Sequence, residues 1–142
     1  MTMRILVALD GSEPSLRAID YVLQLHAAAG EMEVHLLNVQ IPLESGHVRM
    51  FISHDDLQEY YREQGQAALK EGRERLERAG LSCTGHVAVG HSAETIAHFA
   101  RERGIDTIVM GSHGHSGLGH LLLGSVTAEV IRLAEVPVTV AK

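Results

Sequence analysis

Between Ile108 and Ser125 the chain reads IVMGSHGHSGLGHLLLGS. Its glycines include Gly111, Gly114 and Gly124, spaced as G-x2-G-x9-G-S with Ser125 closing the pattern. The run Ile108-Val109-Met110 before them is apolar and reads as the end of a buried strand. The segment from Ser125 to Ala134 has helical periodicity. A strand, a glycine-rich loop and a helix start make an anion site. Glycine lets main-chain N–H groups approach an anion with no Cβ in the way, and the first turn of a helix adds its N–H groups and dipole. The chemistry this stretch suits is phosphate binding through the backbone.

Other readings of the same residues are weaker. Gly119 to Ser125 (GHLLLGS) is close to a Walker loop but lacks the lysine that reaches the outer phosphates. Ser116 sits in GHSGL, where Leu118 stands in place of the second glycine of a nucleophile elbow. His113, His115 and His120 are close together, yet their spacing matches no standard zinc pattern. Glycines after a strand also make plain tight turns. Asp10 suits a turn or cap, Val39 suits strand core, Ser125 suits an N-cap, and Thr127 suits a first helical turn.

The elements that must position these residues alternate. Arg4 to Leu9 is a continuous apolar run, as in a strand covered on both faces. Ser12, Glu13 and Pro14 open a helix with inward positions Ile19, Val22, Leu23 and His26, ended by Gly30. Glu33 to Val39 is a second strand, and Gln40 to Ser53 is a crossover loop. Asp55 or Asp56 opens a long helix with an inward stripe of Leu57, Tyr61, Gly65, Ala68, Gly72 and Leu76. Close packing on the sheet is the expected compensation for its two glycines. Ser82 to Val89 is a third strand, with Val87 and Val89 its clearest apolar positions. Ser92 caps a helix carrying Ala93, Ile96, Ala97 and Ala100 inward. Asp106 to Met110 and Val136 to Ala141 are the last strands, and Pro137 suits an edge. This βαβαβαβαβ order implies a parallel sheet with helices on both faces. Asp10, Val39, Gly90 and Gly111 all fall at the carboxyl ends of strands, where such sheets hold ligands.

At 142 residues and 45% hydrophobic composition, the chain suits one domain, residues 1–142, with a real core. A formal charge of −6 and dispersed basic residues argue against a nucleic-acid partner. No apolar run approaches the roughly 18 residues of a membrane span. The opening MTMRILVALDG has no secretory-leader pattern, and the single cysteine, Cys83, fits a reducing cytoplasm and a core position.

Several stretches together carry a family resemblance: ILVALDGS at Ile5–Ser12, the LLNV ending at Val39, VMGSHG at Val109–Gly114, LLLGSVTAEVI at Leu121–Ile131, and the final VPVTVAK. In these the chain resembles a single-domain, nucleotide-binding member of the universal stress protein family. The resemblance implies a five-stranded, Rossmann-like (adenine nucleotide alpha hydrolase-like) α/β fold with strand order 3-2-1-4-5. It implies a site formed by Ala8, Leu9, Asp10, Val39, Met110, Gly111, His113, Gly114, Gly124, Ser125, Val126 and Thr127. Val39 would offer backbone groups to adenine. Gly111, His113 and Gly114 would line the ribose and phosphates, and Gly124 to Thr127 would meet the phosphates. Asp10 would help hold Mg2+. The expected ligand is ATP, with AMP, ADP or a cyclic nucleotide open. The expected assembly is a homodimer through the last strand, and a regulatory protein partner is expected without a name. Slow ATP hydrolysis or autophosphorylation is the alternative, though the loop has no lysine or arginine for charge neutralisation.

Overall fold

A computed structural model describes residues 2–43, 52–113 and 123–142. The expectations for Gly114, His115, Ser116, Gly117, Gly119, His120 and the middle of the crossover loop lie outside these residues. Five strands, β1 (Met3–Ala8), β2 (Met32–Gln40), β3 (Cys83–Val89), β4 (Thr107–Gly111) and β5 (Val138–Ala141), alternate with four helices. The helices are α1 (Glu13–Ala29), α2 (His54–Arg78), α3 (Ser92–Glu102) and α4 (Ser125–Leu133). The strands form one parallel sheet in the order β3-β2-β1-β4-β5, as the resemblance implied.

Alternation along the central strand divides the core in two. Ile5 and Val7 point to the face covered by α1 and α2, where they join Ile19, Val22, Leu69 and Leu76. Leu6 points to the face of α3 and α4 and joins Ile96, Ala100 and Val130. Both faces of β1 are dry, which explains its unbroken apolar run.

The glycines of α2 lie where the helix approaches the sheet. A Cβ on Gly72 would come within 2.7 Å of Leu9 Cδ1, and one on Gly65 would collide with the Val87 side chain. Four positions of the expected stripe, Tyr61, Gly65, Gly72 and Leu76, are buried. Leu69 takes the place expected for Ala68, which is half-buried, because four residues on from Gly65 the helix returns to the same face. Leu57 is only half-buried.

Other expectations need correction. His26 does not enter the core; its Nδ1 hydrogen-bonds Gly30 O at 2.8 Å and closes the end of α1. Val89 is 40% exposed at the end of β3. Ser53, not Asp55 or Asp56, precedes the first turn of α2, and its hydroxyl accepts the Asp56 N–H. Ser92 and Ser125 are first helical residues rather than caps. The extended cap residues are His91 and Gly124, whose carbonyls accept from Thr95 and Ala128. Pro137 precedes β5, and its carbonyl accepts from Ile108 N and the Thr107 hydroxyl, so the edge strand is pinned to β4 without a proline N–H.

Candidate functional site

The carboxyl ends of β1, β2 and β4 meet at a cavity of about 290 Å³. β1 reaches it through Ala8 and Leu9. Leu9 N donates to Leu37 O at 2.9 Å, and Asn38 Nδ2 donates to Leu9 O at 2.8 Å. Asn38 is buried, and its Oδ1 accepts from Gln40 Nε2 at 2.6 Å. Both backbone groups of Leu9 are thereby tied to β2, and the exit of β1 from the sheet is fixed.

The chain then turns through Asp10 and Gly11. The Asp10 carboxylate accepts the Ser12 N–H at 2.9 Å and also the Ser12 hydroxyl. Gly11 has φ +83°, a conformation that favours glycine, and lies against the Ala68 backbone. Ser12 Oγ in turn accepts from Ser15 N at 3.3 Å, which caps α1.

On the other side, β4 ends at Gly111. A Cβ there would collide with the Pro14 carbonyl, whose carbon lies 2.7 Å from that position. Glycine is what lets the start of α1 sit against the end of β4. Gly111 O accepts from the buried Thr127 hydroxyl at 2.9 Å, and Ser112 N donates to Ala141 O at 3.1 Å. Gly124 N donates to Ser112 O at 2.8 Å, which brings the two ends of the glycine-rich loop together.

Met110, Gly111 and His113 line the cavity from β4, and Ser125, Val126 and Thr127 line it from α4. The cap residue of α4, Gly124, has no side chain with which to cap it. The N–H groups of its first turn, at Ser125, Val126 and Thr127, stand at the cavity, where a helix start favours an anion. Val39, Ile41 and Ile96 supply an apolar wall. Ala8, Leu9, Asp10, Val39, Met110, Gly111, His113, Ser125, Val126 and Thr127 are thus brought together. Gly124 lies behind the lining, buried against His113. The Thr127 hydroxyl points to Gly111 O and positions α4 on β4.

Sequence reasoning missed Ser15, Leu37, Asn38, Ile41, Ser92 and Ile96 at the cavity. The signals were there for some. Asn38 is a polar residue inside the apolar LLNV run, and Ser92 follows the Gly90 turn after β3.

Asp10 is the one carboxylate among the described lining residues, which include no lysine or arginine. No cluster of three or more His, Cys, Asp or Glu suited to a metal occurs among the described residues. A hard cation such as Mg2+ fits here only with most of its oxygens coming from water and phosphate, a mode Mg2+ commonly adopts.

The sequence model of the universal stress protein family matches residues 1–142. The chain belongs to the universal stress protein family. Universal stress protein YxiE of Bacillus subtilis is 30% identical to it, with 100% of both chains covered. A 63-residue stretch is 43% identical to universal stress protein Slr1230 of Synechocystis, and it spans 44% of this chain and only 22% of that protein. Among solved structures, protein MJ0577 of Methanocaldococcus jannaschii superposes with a TM-score of 0.85 at 33% identity, covering 100% of this chain and 96% of that one. A universal stress protein solved in complex with cAMP superposes with a TM-score of 0.72 at 26% identity, covering 99% and 97%. Among the described residues of this family member, no helix is long and apolar enough to cross a membrane.

Proposed function

We propose that this universal stress protein binds ATP in the cavity at the strand ends and acts, as one domain, as a nucleotide-loaded regulatory protein in the cytoplasm. The observation that carries the reading is the glycine-started first turn of α4 at Ser125, set in the same cavity as the apolar wall of Val39, Ile41 and Ile96. An apolar wall suits a purine, and a helix start suits phosphate. Asp10 is the protein oxygen offered to a phosphate-bound Mg2+. A monophosphate or cyclic nucleotide is the second reading, supported by the relative solved with cAMP.

The same proposal includes a homodimer. β5 is the edge strand of the sheet and its residues are half-buried, so pairing with a second β5 would extend the sheet across two copies. A nucleotide would change the surface offered to a regulatory partner only as far as it binds one conformation better than another.

The test is titration of the nucleotide-stripped protein with ATP, AMP and cAMP by calorimetry, beside the Ser125→Asp variant. Ser125 is exposed at the first helical position, where a carboxylate favours the helix dipole. The variant is therefore expected to melt no lower than the parent. It is also expected to lose ATP affinity by roughly tenfold or more, the worth of a charge-assisted hydrogen bond. Unchanged ATP affinity would remove α4 from the site. Equal affinity for adenosine and ATP would remove phosphate recognition altogether.

A further inference from the structure

On the α3 face of the sheet, away from the loop chemistry, lies a chain of polar side chains. Arg4 Nε donates to Glu33 Oε2 at 2.6 Å, and His35 Nε2 meets the same oxygen at 2.8 Å. His35 Nδ1 meets His86 Nε2 at 3.0 Å across β2 and β3. The two rings stack with centroids 5.2 Å apart, and His86 packs on Phe99 of α3 at 4.8 Å. Arg103, at the end of α3, stands 5.1 Å over the Phe99 ring. His35 is 7% exposed, so its hydrogen bonds have no ready replacement in water.

With both rings neutral, His35 donates to Glu33 from Nε2 and accepts from His86 at Nδ1. One added proton keeps the contact, because one ring then donates from both nitrogens and the other presents a bare nitrogen to it. With a second added proton, taken from solvent, N–H faces N–H at 3.0 Å and the contact cannot hold. We propose that the His35–His86 pair is a pH-sensitive latch between β2 and β3 that supports Phe99 of α3, closed with no added proton or one and opened by the second. Among the described residues, the groups facing it are Glu33 on β2, Arg4 beyond it on β1, Phe99 on α3 and Arg103 just past the end of α3. A charged His86 would share the Phe99 ring with the Arg103 guanidinium. In agreement, burial first, then His35, then Arg103 hold the His86 imidazole below its ordinary 6.5.

The direction of the pH effect follows. The unfolded chain takes up a proton that folded His86 resists, so the latch stabilises fully above about pH 6.5 and less as pH falls below it. The experiment is thermal unfolding of the full chain and of His86→Gln between pH 7.5 and 5.5. Glutamine can donate to His35 Nδ1 but cannot take a proton. The parent is expected to lose roughly 3–6 °C more than the variant over that interval. Parallel pH slopes would overturn the latch. Should His86→Gln not fold, 15N imidazole spectra of the parent decide. At pH 7.5 both rings should be Nε2–H tautomers, and α3 amides should lose exchange protection first on acidification. Two doubly protonated rings in a folded protein with α3 still protected would overturn the proposal.

Discussion

Asn38→Asp is expected to destabilise the protein by about 3–5 kcal/mol at pH 8, the range for an uncompensated buried charge. The amide nitrogen of Asn38 is a buried donor, 2.8 Å from Leu9 O. A carboxylate would set an acceptor against that carbonyl and lose the Leu9 anchor. Asn38→Ala removes the same bond without adding charge and should cost about 1–3 kcal/mol. Urea unfolding of both variants and the parent at pH 8 measures the difference. The introduced carboxyl titrates higher in the folded than in the unfolded state. Its excess penalty is therefore present above its folded pKa and vanishes as pH falls toward the unfolded value of about 3.9. Equal losses for the two variants at pH 8 would mean that the position is not closed to water as the structure has it.

Gly111→Val should be as damaging for a different reason. Its branched side chain would be driven into backbone, the Pro14 carbonyl at the start of α1, and not into a flexible side chain that can step aside. Overpacking of this kind costs about 1–3 kcal/mol when neighbours can adjust. Here adjustment means either moving α1 off β4 or moving Gly111, which would break its bond from the Thr127 hydroxyl on α4. A loss of about 3 kcal/mol or more is expected, read as a fall in the urea midpoint. Gly111→Ala should fall between Gly111→Val and the parent. A valine variant as stable as the parent would show that the close approach of α1 is unnecessary.

Much of the sheet is legible in the sequence because buried parallel strands are unbroken apolar runs, and β1, β2 and β4 each start and end within one residue of expectation. Helix starts are less legible. Ser92 and Ser125 both have cap chemistry, but the extended residue is the one before each, and a serine suits either position. Residue type also fails to say which way a side chain points. Thr127 looks like a phosphate contact from its place after Gly124-Ser125, yet its hydroxyl serves Gly111 O. Asn38 sits inside the LLNV stretch, but nothing local says what it does, since its partner, Leu9 O, lies 29 residues away. The His35–His86 pair is likewise invisible in one dimension, with 51 residues between two histidines that share no local pattern.

The strand order has a consequence for synthesis. β1 is the central strand, and one of its two neighbours is β4; Arg4 N reaches Asp106 Oδ2 across 102 residues. A ribosome therefore delivers β1, β2 and β3 well before the partner for the other side of β1. Until Thr107 to Gly111 emerge, this apolar central strand has one row of backbone donors and acceptors open to any chain that can pair with it. The nascent protein is most in need of a chaperone during that interval, and a translational pause before β4 would lengthen the exposure.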